Sequence, residues 1–251
     1  MLSYVAGVTT TARLGVSVLV LPVRDPVTLA KSLASLDVLS GGRLIAGVGL
    51  GGNWDSEAFG IPPERRVRRF LDVLLAIDAL WQQKDPRFEG EFFQLRETQM
   101  HPKPLQQPRP PIWFGARAEA ALRRAVRHGD GWMGPGSSSS EAFRDGVVSV
   151  REALEQADRD PATFAISKRV YLGIDGDADR AERRLGGWFA HNYHNADMAT
   201  AVSIWGPAEH CYERIDELID AGAQHLLMNP VFDYSEHIEA LQRYTGAVCA
   251  D

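Results

Sequence analysis

The sequence predicts an α/β fold built on a parallel sheet, and three observations lead there. Apolar runs of strand length alternate with helical segments six times along the chain, the order that calls for parallel strands joined by right-handed crossovers. Several of those runs are apolar at successive positions, the pattern of strands covered on both faces. The chain has 251 residues, a length that a single α/β barrel commonly takes. Six units fit either an open doubly wound sheet or a barrel that lacks two of its eight strands.

Each element has a local reason. Leu14-Gly-Val-Ser-Val-Leu-Val-Leu21 reads as one strand buried on both faces, ending at Pro22. Asp25-Pro26 then opens a helix, with Asp as N-cap and Pro at the first helical position. Leu29, Leu33 and Leu36 keep one apolar face, and Ser40-Gly41-Gly42 stops the helix. Leu44–Gly49 is the second strand. Pro62-Pro63-Glu64 starts a helix whose stripe is Val67, Phe70, Leu71, Leu74, Ile77 and Trp81. The proline-rich stretch 84–111 breaks the rhythm, and Phe88-Glu-Gly-Glu-Phe-Phe93 within it reads as a hairpin-like excursion.

Ile112–Phe114 is a short strand, followed by a helix from Glu119 to Arg127 that Gly129 stops. Gly131–Met133 is the next strand. The helix near Glu141–Ala157 places Phe143, Val147, Val150 and Leu154 on one side. Phe164–Ile174 is a longer strand, and Asp177–Tyr193 a helix. His194–Ile204 reads as irregular or a short helix. Pro207–Ala221 is a helix ending at Gly222, His225–Val231 the last strand and Ser235–Val248 the last helix.

Composition narrows the function. Lys and Arg number 27 against 33 Asp and Glu, a net charge of −6, which argues against a nucleic-acid-binding domain. No apolar run approaches the length of a bilayer span, and the start shows no secretory or lipidation signal, so the expectation is a cytoplasmic protein without membrane contact. Two cysteines, Cys211 in mid-helix and Cys249 near a fraying end, make neither a disulfide framework nor a zinc site. The seven histidines show no metal spacing, and no metal is expected. His128, His210 and His237 read as surface residues, and His191, Asn192 and His194 as members of a polar loop. No nucleophile elbow and no phosphate-binding P-loop is present.

Gly47-Val-Gly-Leu-Gly-Gly52 matches G-x-G-x-x-G after a strand, but two features argue against a dinucleotide fingerprint. No clean helical stripe follows Gly52, and the acidic residue at the expected distance, Asp72, falls inside a helix. The glycines still mark a close backbone approach at the strand's carboxyl end. Ile112-Trp-Phe-Gly115-Ala-Arg-Ala118-Glu runs from a strand into a helix N-terminus through small residues. Its free N–H groups, its dipole and Arg117 make it either an anion cradle or a plain tight turn. Trp132, at the next strand end, reads as core or as the wall of a flat ligand.

Taken in order, Leu19-Val-Leu-Pro22, Asp25-Pro-Val-Thr-Leu-Ala-Lys31, Leu36–Leu44, Gly47-Val-Gly49, His101-Pro-Lys-Pro104, Pro110-Pro-Ile-Trp113 and Gly129-Asp-Gly-Trp132 closely resemble the bacterial luciferase-like monooxygenase family. They look most like its actinobacterial branch that uses the deazaflavin coenzyme F420. The resemblance covers essentially the whole chain and is strongest from Arg13 to Trp132. It implies a TIM-barrel, (β/α)8-like fold, one domain over residues 1–251, with 84–111 as an insertion at the rim and the active site at the carboxyl ends of the strands. It further implies cofactor contacts at Ser17 and Val18, where the family often carries a non-prolyl cis peptide behind the ring. Leu50, Gly51 and Asp55 match the loop beside ring and tail, Gly115, Ala116 and Arg117 the phosphate turn, and Trp132, Met133 and Gly134 the next strand end.

The sequence departs from the family pattern at its start. The opening strand–helix–strand unit is absent before the segment resembling Leu2–Thr11, which leaves about six parallel strands. The end of that second strand is where deazaflavin members often carry a catalytic histidine, so no catalytic residue is carried over. Unpaired strand edges favour a homodimer. The function implied is hydride transfer between coenzyme F420 and a small organic substrate. The alternatives are an FMNH2-dependent monooxygenase using O2 and a non-catalytic cofactor-binding protein.

Overall fold

The computed structural model describes residues 1–96 and 98–248, so Cys249 lies outside the described residues. The chain forms two compact units. The first comprises Met1–Ala116 and His128–Gly131, and the second Arg117–Arg127 and the chain from Trp132 onward.

The first unit begins with helix α1 (Leu2–Val8) and the short strands β1 (Leu14–Gly15) and β2 (Leu19–Val20). Helix α2 (Pro26–Leu39) leads to β3 (Leu44–Gly49). After β3 come α3 (Asn53–Glu57) and α4 (Arg66–Gln82), then the hairpin of β4 (Phe88–Glu89) and β5 (Gln94–Leu95), and then β6 (Ile112–Gly115). Strand β3 carries β1 and β2 on one side and β6 on the other, all parallel.

The expectation of one continuous buried strand over Leu14–Leu21 is corrected here. Gly15 pairs with Ile45 and Leu19 with Val48, so the run spends one more residue than β3 between the same rungs. The surplus forms a bulge that lifts Ser17 and Val18 out of the ladder. The Ser17–Val18 peptide bond is cis, at the position the resemblance marked. Only Leu14 and Leu21 of the run are fully buried.

Helix α2 is capped as expected, with Thr28 N donating to Asp25 Oδ1 at 2.8 Å, and Gly41 and Gly42 take positive φ at its end. Trp81 on α4 is buried and donates from Nε1 to Ala30 O at 3.0 Å. Two carboxylates tie the excursion 84–111 to the helices. Asp72 Oδ2 accepts from Phe92 N at 2.6 Å and Phe93 N at 3.3 Å. Fully buried Asp37 accepts from Leu105 N, Gln106 N and Gln106 Nε2. These bonds satisfy backbone donors that the irregular loop leaves unpaired.

The second unit holds α5 (Glu119–His128, its last residue in the first unit), β7 (Gly131–Gly134), α6 (Ser140–Gln156) and the ten-residue β8 (Ala165–Ile174). It continues with α7 (Ala178–Tyr193), α8 (Met198–Val202), β9 (Ser203–Gly206), α9 (Ala208–Asp220), β10 (His225–Pro230) and α10 (Tyr234–Val248). Strand β8 stands between β7 and β10, and β9 also pairs with β8, at Tyr171–Ile174. The six expected strands are present. Strand β9 is an additional short one inside a stretch read as irregular or helical; only its pairing with β8 makes it a strand.

Side chains alternate across β8. Lys168 points to the face covered by α6, its Nζ 6.0 Å from the Phe143 ring centre. Tyr171 points to the other face and packs on Trp188, Phe189 and Tyr193 of α7. Tyr171, Leu185, Phe189, Ala199 and Val231 form a core of their own, with Trp188 packed against it. His191 and Asn192 sit in the last turn of α7 rather than in a loop, and both are exposed. The surface reading of His237 is also corrected. It is 1% exposed, its Nε2 accepts from Ile174 N at 2.7 Å, and its Nδ1 is 2.9 Å from Asp233 O. It thereby pins the carboxyl end of β8 to α10.

Candidate functional site

In the first unit the carboxyl ends of β3 and β6 meet around one side chain that directly precedes β2. Val18, lifted out of the ladder by the bulge, packs on two glycines that end neighbouring strands. A Cβ at Gly49 would stand 2.3 Å from Val18 Cγ2, and one at Gly115 would stand 2.9 Å from Val18 Cγ1. Side chains do not approach so closely, so a Cβ at either position would force Val18 or the strand ends to shift. Gly51 follows with φ +73, and a Cβ there would lie 2.5 Å from Val20 Cγ1 and 2.9 Å from Asp55 Oδ2. Asp55 Oδ2 accepts from Gly52 N at 2.6 Å and so caps α3, the short helix that the glycine motif opens after all. Leu50 is half-buried, while Gly51 and Gly52 are exposed. Of the residues the resemblance marked, Ser17, Val18, Leu50, Gly51, Asp55, Gly115 and Ala116 thus belong to this unit, and Val18, Gly51, Asp55 and Gly115 share direct contacts or a common glycine floor. Ala116 is buried.

Arg117 is exposed and stands two residues before α5. The first N–H groups of that helix have no intrahelical acceptor, which is the general condition of a helix N-terminus. Trp132, Met133 and Gly134 follow in β7. Trp132 is buried with its ring stacked on Phe143, centroids 5.3 Å apart, and it fills the space a Cβ on Gly146 would need. The ring is thus packed against α6. Met133 alternates to the opposite face and is half-buried. Gly134 admits no side chain, because Phe143 and Ser167 O close around it.

The charged residues of β8 escaped the sequence reading. Lys168 is 2% exposed. Its Nζ donates to Pro135 O at 2.6 Å, Ser138 O at 2.7 Å and Ser138 Oγ at 2.9 Å, so it clamps the loop between β7 and α6. Burial, aided by the positive charge of Arg117, lowers its pKa to about 8. Beside it, Arg169 lies over the Tyr171 ring, and its Nη2 donates to Asn229 Oδ1 at 3.2 Å. The Tyr171 hydroxyl meets that of Tyr193; burial, with this bond, pushes the Tyr171 pKa well above its ordinary value. A signal was available: Lys168 and Arg169 interrupt a strand that is otherwise apolar enough to be buried, and buried cations need partners.

Comparison with known proteins bears on the family and the fold. The family model described as "Luciferase-like monooxygenase" matches residues 1–225. An uncharacterized protein of Mycobacterium tuberculosis is 40% identical over 130 residues, covering 51% of this chain and 46% of that protein. The F420-dependent glucose-6-phosphate dehydrogenase of Kineococcus radiotolerans is 30% identical over 192 residues, 74% of this chain and 56% of the enzyme. The chain spans about half the length of the curated relatives it matches. Among solved structures, an F420-dependent secondary alcohol dehydrogenase superposes with a TM-score of 0.81 at 18% identity, covering 90% of this chain and 76% of that one. At that identity the likeness shows the fold, and the fold is the α/β, TIM-barrel-like one. Among the described residues no helix is long and apolar enough to cross a membrane.

Proposed function

The chain belongs to the luciferase-like monooxygenase family, and on that premise we propose that it is a coenzyme F420-dependent oxidoreductase acting on a small organic molecule. The observation that carries this reading is the seat of Val18 on Gly49 and Gly115. The two glycines let this side chain lie close against the strand ends, so that a small, half-buried apolar group is what a planar ring would rest on. The residues present therefore fit a flat tricyclic cofactor. Leu50 and Gly51 would border the ring. The Gly115-Ala116-Arg117 turn, leading into the N-terminus of α5, would hold a phosphate through N–H groups and a guanidinium. When bound, the deazaflavin supplies a hydride acceptor or donor, while the protein orients the ring and excludes water.

Support for F420 over flavin mononucleotide comes from F420-dependent relatives and neighbours and from the phrase-level likeness. The test is a fluorescence titration of the purified chain with oxidised F420 and, separately, with flavin mononucleotide. Saturable binding of F420, weakened at least tenfold by Arg117→Ala, is the expected result. Binding of flavin alone would transfer the reading to a flavin-dependent monooxygenase, and binding of neither would remove it.

A further inference from the structure

Arg169 is a cation in an unusual position. Partners in a parallel register point to the same side, so Arg169 and Tyr171 of β8 share a face with Leu227 and Asn229 of β10. The guanidinium rests 4.9 Å from the centre of the Tyr171 ring. The loop after β7 crosses this pair closely: a Cβ on Gly136 would lie 2.7 Å from Tyr171 Cε2 and 3.2 Å from Arg169 Cδ. Ring, loop and Asn229 thus hold the guanidinium in one orientation. Its Nε is nonetheless buried without an acceptor, and no carboxylate among the described residues pairs with it. Next to it on the same face, the apolar Leu227 is 46% exposed.

A half-buried guanidinium whose Nε lacks an acceptor and whose charge lacks a counter-charge favours an anion. Its planar fork matches carboxylate and phosphate oxygens. We propose that Arg169, oriented by Asn229 and Tyr171, anchors an organic anion whose apolar body lies on Leu227. This deepens the function proposed above and rests on it in one respect: the anionic group belongs either to the small-molecule substrate or to the cofactor's own tail.

The test uses the full chain, Arg169→Gln and Arg169→Lys. Benzoate and its neutral counterpart benzamide serve as probes, followed by thermal shift and by the fluorescence of Trp188, whose ring is 5.3 Å from Tyr171. F420 affinity is measured in parallel. Benzoate is expected to bind at least tenfold more tightly than benzamide, and Arg169→Gln to abolish that preference. Arg169→Lys keeps the charge without the fork and restores only part of it. Unchanged F420 affinity in Arg169→Gln assigns the anion to the substrate, whereas a tenfold loss assigns it to the cofactor. The proposal is overturned if a folded Arg169→Gln binds both benzoate and F420 as the unaltered chain does. It is equally overturned if the unaltered chain does not prefer benzoate and F420 affinity is unaffected. Should Arg169→Gln fail to fold, Asn229→Ala replaces it, with at least a threefold weakening expected and none overturning the proposal. Failure of the unaltered chain to bind F420 or flavin removes the cofactor reading, and the benzoate arm still decides Arg169.

Discussion

The two units build their strand ends by opposite means. In the first, the strand ends are shaped by removing side chains: Gly49, Gly51 and Gly115 lie against Val18 and Val20. In the second, β8 brings Lys168 and Arg169 into a largely buried strand and matches them with loop carbonyls, a serine, an asparagine and a tyrosine ring. One region is specified by shape and the other by charge. The contrast teaches that one strand–helix alternation can produce close apolar packing on glycines in one place and buried, partnered cations in another. The two should therefore respond to different perturbations.

The sharpest way to break the shape-based region is Gly49→Ala. A methyl group 2.3 Å from Val18 Cγ2 forces the strand ends apart, so F420 binding should disappear and stability should fall by about 1–3 kcal/mol, as overpacking usually does. The double variant Val18→Ala/Gly49→Ala should recover most of the melting temperature. If it does not, the clash is not the cause.

A stability loss of similar size, without damage to the seat of Val18, is expected in the charge-based region from Lys168→Met. Three oxygens lose their donor, and unsatisfied buried groups of this kind destabilise by about 1–3 kcal/mol. The pH signature separates this from simple packing. Lys168 has a folded pKa of about 8 against 10.5 for the free group, so between those values the unfolded chain binds more protons at this site. Its contribution to stability therefore rises with pH through that window. Denaturant midpoints at pH 7.5 and 10.5 should show the original chain gaining on Lys168→Met as pH increases. Taking this difference removes the opposing effect of Cys211, whose thiol burial pushes up to about 12.

Weaker still is the acid response near β8. The hydrogen bonds from Arg180 hold Asp175 at about 2, below its ordinary 3.8. The stability this pair adds is present above pH 4 and is lost as pH falls toward 2. Arg180→Ala should flatten that part of the acid-unfolding curve by lowering the neutral melting temperature toward the acid one, and by only a little, because Arg180 is exposed. As a control outside both regions, Asp25→Ala should lower stability by about 1 kcal/mol through the lost helix cap, with cofactor affinity unaltered in titration.

What the amino-acid order determined by itself was local. Helix starts such as Asp25-Pro26, stops such as Gly41-Gly42 and Gly222, the strand of Leu44–Gly49 and the hairpin at Phe88–Phe93 depend on capping, φ and periodicity, which act within a few residues. The family likeness, carried by spaced phrases, placed the cis bond at Ser17–Val18 and the turn at Gly115–Arg117. Tertiary structure decided the rest. The bulge between β1 and β2 exists only because β3 offers one residue fewer between the same rungs. Ser203–Gly206 is a strand only because β8 pairs with it. His237 is buried only because Ile174 and Asp233 meet it across the fold. Lys168 and Arg169 adjoin in sequence, yet strand alternation sends one to clamp a loop and the other to lie on a tyrosine. These outcomes depend on which distant residues come within reach, and a separation of sixty residues, as between Arg169 and Asn229, leaves no local pattern to read.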